Sequence, residues 1–180
     1  MDGTAALPSP AERAETVSLL ESSRDHLLAL CRGLHPEDWA RSDCAGRWTV
    51  AHVLEHLVII DQRVAANLER MLGQPAEPDW HAKTAAADAA LAATAVVVQP
   101  LNAPAPIQPQ GGQSPEKLLA DFEAARAKLL DVARNAALAL KEHTANHPIL
   151  GPLHGQQWLR VTAHHTERHL TQMRACLAQK

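Results

Sequence analysis

The chain has 180 residues, 46% of them hydrophobic, enough for one globular domain over residues 1–180 and too few for two comfortable ones. With 17 basic and 20 acidic residues the net charge is −3, which points away from nucleic acid and anionic membranes and toward small-molecule substrates or protein partners. There is no run of 18 apolar residues, the start MDGTAALPSPAERAE lacks the features of an export signal, and the three cysteines lack CxxC spacing, so reduced thiols and a cytoplasmic setting are expected.

Ser9-Pro10-Ala11-Glu12 reads as a capping box that opens a first helix. Val17, Leu20, Leu27, Leu28 and Leu30 carry its apolar stripe to about Leu34, and His35-Pro36 stops it. Residues 37–47, with Trp39, Cys44 and Gly46, have no sustained period and predict a loop.

Thr49 is placed to cap a second helix over residues 50–72, closed by Gly73 and Pro75. Val53, Leu57, Ile60, Val64, Leu68 and Met71 form its inner stripe, with Glu55, Gln62 and Glu69 opposite. His56 projects roughly 70° from the centre of that stripe, close enough to look into a cavity from the side, and His52 lies about 40° nearer to water.

Residues 74–113 break the rhythm. They contain an Ala-rich piece from Trp80 to Val98 with the composition of a short helix, followed by the Pro-rich segment 99–113. So long a connection is expected to cross the fold and cover a site. Ser114-Pro115-Glu116 opens a third long helix that turns Leu118, Leu119, Phe122, Ala125, Leu129, Leu130, Val132 and Ala133 inward and fades near Lys141 or His143. A tight Pro/Gly-bearing turn should lead into a last helix over residues 154–179.

Four long amphipathic helices without a strand pattern predict an all-α four-helix bundle. The first and last connections look short, which would make helices one and two, and three and four, antiparallel neighbours. The long middle crossover lets helices two and three run parallel, giving up-down-down-up.

On the last helix Arg160, Glu167 and Arg174 fall within roughly 40° of one line, the expected wet face, and Trp158, His165, His169 and Cys176 lie opposite. Two imidazoles one turn apart on a face that ought to be apolar are either costly core groups or two ligands of one ion. Residues i and i+4 lie about 6 Å apart along the axis, close enough for both rings to reach one metal. His56 is the best-placed third donor, which would leave positions open for water or a substrate atom. With 11 histidines, chance spacing is the competing explanation, and the Glu of HExxH is missing.

The other polar groups have plainer assignments. His52 is a rim residue and a candidate proton carrier. Cys176, roughly 10 Å beyond His169 along the axis, belongs to the core. Trp158 is core or cavity wall, His164 faces water, and Glu55, Asp61 and Glu167 are taken as solvated charges.

RWTVAHVLEHL at the second helix and NHPILGPLHGQQWLRVTAHHTERHLTQM at the last resemble the DinB-like, YfiT-related superfamily of metal-dependent proteins. The likeness rests on a Trp-polar helix start ending in His-Leu, a His-Pro-x-x-Gly turn, and an H-x-x-x-H-x-x-Gln ending. It implies an up-down-down-up bundle holding one divalent ion, commonly zinc or nickel, on three histidines, which map to His56, His165 and His169. One departure is His154, where related sequences tend to place Ser or Thr, so the cap there is weaker or depends on the imidazole.

Characterised branches of the family handle low-molecular-weight thiols as S-transferases or thiol-dependent isomerases. The resemblance therefore implies a thiol transferase, or a hydrolase using the same activation of water. The alternative is a non-catalytic bundle that binds a metal or ligand in a stress response, or an interaction module whose flat faces form a homodimer.

Overall fold

The computed structural model describes residues 6–42, 47–92 and 103–178. Cys44, Gly46, the end of the Ala-rich piece at 93–98 and residues 99–102 lie outside it. The long helices are α1 (Pro10–Arg32), α2 (Val50–Leu72), α4 (Pro115–Arg134) and α5 (Gly155–Ala178), with the shorter α3 at Trp80–Ala92. Among the described residues no helix is long and apolar enough to cross a membrane.

The caps sit where sequence chemistry puts them. Ser9 Oγ accepts from Glu12 N at 3.2 Å while Ser9 N donates to Glu12 Oε2 at 2.8 Å, with Pro10 at the first helical position. Thr49 Oγ1 accepts the His52 backbone N–H, and Ser114 Oγ accepts from Lys117 N. At α5 the imidazole does the capping. His154 Nδ1 accepts from Gln157 N at 3.2 Å, and His154 N donates to Gln157 Oε1 at 3.0 Å. Burial holds the His154 ring neutral, its pKa lowered to about 4, which keeps the accepting lone pair available.

The core divides into two layers. One joins Leu27 of α1, Leu54 and Leu57 of α2, Phe122 of α4 and Met173 of α5; the other joins Leu20, Leu68, Leu129 and Leu159 of the same four helices. The pairing of helix ends makes α1 parallel to α5 and α2 parallel to α4, the two pairs running oppositely, as the expected up-down-down-up order requires. Each fully buried leucine contributes about 1.5–3 kcal/mol.

Neighbour relations differ from the expectation. α1 packs along α5 and α4, and α2 along α4 and α5, so α1 and α2 face each other across the diagonal, as do α4 and α5. The end connections carry structure of their own and are long enough to span a diagonal. Residues 33–49 include a 3-10 turn at Pro36–Ala40. After α4, which ends at Arg134 and not near Lys141, an antiparallel hairpin forms from β1 (Thr144–His147) and β2 (Gly151–His154). The hairpin replaces the expected simple turn. Gly151 sits at φ 73°, a conformation disfavoured for other residues, and His147 Nδ1 accepts the Ile149 and Leu150 N–H groups across the tip.

Three polar residues proved buried against expectation or went unremarked. Asp61, expected in water, is 0% exposed and takes a bidentate bond from the equally buried Arg126, at 2.7 and 3.2 Å. Arg126 also donates to Leu20 O and Ser23 Oγ of α1 and to Thr166 Oγ1 of α5, so one guanidinium ties all four long helices together. Glu55, also expected in water, is 4% exposed and holds the connection that arrives before α4.

Candidate metal centre

The helix α2 is amphipathic with His56 on the flank of its stripe, and α5 carries His165 and His169 one turn apart. Because α2 and α5 are antiparallel neighbours, the first half of α2 meets the second half of α5. The structure thereby brings all three rings together. One ring nitrogen from each lies within 4.8 Å of the others, and ring centroids are 4.5 to 5.2 Å apart. The Nε2 atoms of His165 and His169 face each other at 3.2 Å.

The rings are oriented from behind. His56 Nδ1 lies 2.8 Å from Ile107 O, a carbonyl that can only accept, so Nδ1 carries the proton and Nε2 presents its lone pair inward. His169 Nδ1 stands 2.8 Å from Gln172 Oε1 and is fixed the same way. His165 Nδ1 is fully enclosed with no hydrogen-bond partner among the described residues.

All three are held neutral. Burial lowers the His56 pKa, with the Arg168 charge adding to the effect against the Ile107 bond. Burial takes His165 well below 6.5, reinforced by His169, His56 and Arg168. For His169 burial is again the main cause, with His56 and Arg168 adding, and the value falls to about 3. Neutral imidazoles are the form that binds a metal, so no proton has to be displaced near pH 7.

The donor set fits a divalent ion. Nitrogens bound at about 2.0–2.1 Å with tetrahedral angles stand roughly 3.4 Å apart, so His165 and His169, at 3.2 Å, need little adjustment, and the widest separation is 4.8 Å at most. No carboxylate or thiolate joins the group among the described residues.

The surroundings were only partly legible. Trp48, not Trp158, walls the site, its ring 4.8 Å from His56 and 6.4 Å from His169. Trp158 sits on the hairpin, 5.1 Å from the His147 ring, with its Nε1 donating to Ala145 O. It and His165 are half-buried because the inward line of α5 runs through Leu159, Thr162, Ala163, Thr166 and Leu170, rotated from the expected one. Thr162 and Thr166 tolerate the core because their hydroxyls bond backbone carbonyls one turn back. His164 is half-buried rather than fully wet, and Cys176 is core as expected.

His52 does not join the three rings. Its Nδ1 accepts Thr49 N at 3.3 Å, and its Nε2 lies so near Gly111 (φ +76°) that a Cβ there would stand 3.0 Å away. Residues 103–113 form a strap over this end of α2. Gln110 N and Gly111 N donate to the Glu55 carboxylate at 3.1 and 2.8 Å, and Gln113 Nε2 reaches it at 3.4 Å. Residues 103–113 thus lie against the His56 ring and Glu55, but nothing in the spacing of α2 revealed that Glu55 anchors them. The only advance signal for Gln172 was its place three residues after His169.

The chain is similar to TT2238, a crystal structure described as a four-helix bundle protein, at 27% identity and a TM-score of 0.60, over 91% of this chain and 98% of that one. No curated protein matches it. The DinB superfamily model matches residues 19–173, a span that contains α2, the strap, the hairpin and all three histidines. A match over most of the length, on a bundle with this histidine cluster, establishes that the chain belongs to the DinB superfamily.

Proposed function

We propose that the chain is a metal-dependent enzyme of thiol S-transferase or hydrolase type, with one divalent ion, zinc or nickel, on His56, His165 and His169. The observation that carries this is the convergence of three neutral imidazoles whose nitrogens lie within 4.8 Å, two of them aimed inward by bonds at Nδ1. Bound there, such an ion would acidify a thiol or a water and so supply a nucleophile near neutral pH.

The protein's own part is orientation and exclusion of solvent. Ile107 O and Gln172 hold the tautomers of His56 and His169. Trp48 gives a flat apolar wall against which an electrophile can lie, and the strap held by Glu55 carries the Ile107 carbonyl that orients His56. With Nδ1 of His52 committed to the helix cap, its Nε2 beside Gly111 is the nitrogen left for a proton-carrying role. Three protein donors without a fourth among the described residues favour an open position over a closed structural site. A low-molecular-weight thiol as cosubstrate follows from the sequence resemblance.

Metal analysis of the purified protein and of His169→Ala tests this. The parent should carry about one equivalent and the variant roughly tenfold less or lower. Equal metal in both would remove His169 from the site and the proposal with it.

A further inference from the structure

Three residues of α2 hold the strap, and they share one helical face a turn apart: His52, Glu55 and His56. His56 Nδ1 donates to Ile107 O at 2.8 Å, and Glu55 accepts from Gln110 N, Gly111 N and Gln113 Nε2. Gly111 lies so close to His52 that a Cβ on it would stand 3.0 Å from Nε2. One of the three is a ring of the candidate metal site, so the segment that leads into α4 is fastened to the site itself.

Apolar burial contributes little to the strap. Pro104, Ala105, Pro106, Gln108 and Gln110 are exposed, and Ile107 and Pro109 are half-buried. The prolines restrict the backbone but offer no N–H. Gly111 sits at φ 76°, where an L side chain is strained, so the bend that aims two successive N–H groups at Glu55 depends on that glycine. A segment secured by a few polar bonds opens locally at a free energy well below that of unfolding the bundle.

The bond from His56 to Ile107 links this local equilibrium to the ion. With the strap docked, the carbonyl keeps the proton on Nδ1 and the lone pair on Nε2, the nitrogen that would serve as ligand. With the strap away, Nδ1 would face water, and both the tautomer and the ring orientation would be released. A cation on Nε2 draws electron density from the ring and makes Nδ1–H a stronger donor, which favours the docked strap in turn. The two effects are one coupling free energy, equal in both directions.

We infer that residues 103–113 are a metal-responsive strap, with Glu55 and Gly111 as positioning residues that act on His56 through Ile107 O. Docking raises the affinity for the ion, and the ion holds the strap down. This rests on the metal proposal above and adds the regulation of that site.

The test is hydrogen exchange read by mass spectrometry on the full-length chain, stripped with a chelator and then reloaded with zinc, together with zinc affinity by competition with a chromophoric chelator. In the parent, zinc should slow exchange of the Gln110 and Gly111 amides by about tenfold. The turn after α4, where Ala137 N bonds Asn135 Oδ1, is the control that should not change. Gly111→Ala should bind zinc about tenfold more weakly and lose the zinc-dependent slowing. Glu55→Gln, which keeps the shape of the side chain, should do the same. Gln110→Ala retains the backbone N–H to Glu55 and loses only a bond to Gln108 O, so it should match the parent. A merely structural strap would shift the melting temperature of these variants and leave zinc affinity and the zinc-dependent difference as they are in the parent.

Zinc bound without any change in strap exchange, or Gly111→Ala and Glu55→Gln variants that keep the parent's affinity and slowing, overturns this inference and leaves the metal site in place. A parent that binds no zinc overturns the metal proposal, and this inference with it.

Discussion

Two clusters of polar side chains are buried inside this bundle, and they are built on opposite principles. Around Arg126 every group is satisfied by another protein group: Asp61, Ser23, the Leu20 carbonyl and Thr166 receive the guanidinium's protons within 3.2 Å, and the Phe122 ring lies 5.0 Å from its centre. Around His56, His165 and His169 the outward nitrogens of two rings are satisfied, while the inward ones converge on a common point. Burial of either cluster costs desolvation free energy. The first is offset internally and gives architecture; the second keeps a set of inward nitrogens that could hold an ion.

The comparison breaks most sharply at the first cluster. Arg126→Met leaves the Asp61 carboxylate buried without its partner and should destabilise the protein by about 3–5 kcal/mol in denaturant unfolding. Pairing it with Asp61→Leu should recover most of that loss. A single variant as stable as the parent would show that the network is decoration.

His154 sharpens the contrast, because it too is a buried neutral imidazole, 5% exposed, but one committed to a helix cap. Its pKa is about 4 when folded, against an ordinary value of 6.5, so between these pH values the unfolded chain binds the extra proton and the folded one does not. Stability is therefore full above about pH 6.5 and is lost as pH falls toward 4, by about 3 kcal/mol. His154→Asn keeps a cap and should flatten that part of the stability profile without loss of metal. Parallel profiles for parent and variant would assign the acid sensitivity to other groups.

Smaller effects are expected from groups that only orient the site. Gln172→Ala or Glu55→Gln should weaken metal binding about 10–100-fold, as loss of a supporting hydrogen bond does elsewhere, with equilibrium dialysis as the measurement. Unchanged affinity in both would mean that the rings need no support from behind. At the bottom of the scale, Glu167→Gln removes the surface pair with His26 and should change stability by less than about 1 kcal/mol, although its neighbours on α5 are the site itself.

Much of the bundle could be read from local pattern. The caps at Ser9, Thr49 and Ser114, the limits of α2, and the face shared by His165 and His169 follow from short-range rules, since a helix cap involves residues three apart and a helical face residues three and four apart. What failed was long-range. Asp61 and Glu55 look like solvated charges on a helical wheel because the wheel contains neither Arg126, 65 residues further on, nor the strap at Gln110 and Gly111, more than 50 residues away. The hairpin at 144–154 was missed because strands of four residues leave too little alternation to detect.

By itself, then, the amino-acid order determined four helices and the three imidazoles worth watching, because periodicity and capping act within a turn or two of chain. Tertiary structure decided which helices lie side by side, that Trp48 rather than Trp158 borders the rings, and that Arg168 leans on His169. Those outcomes depend on packing between segments far apart in the chain, where the burial of one residue is set by side chains that no local pattern contains.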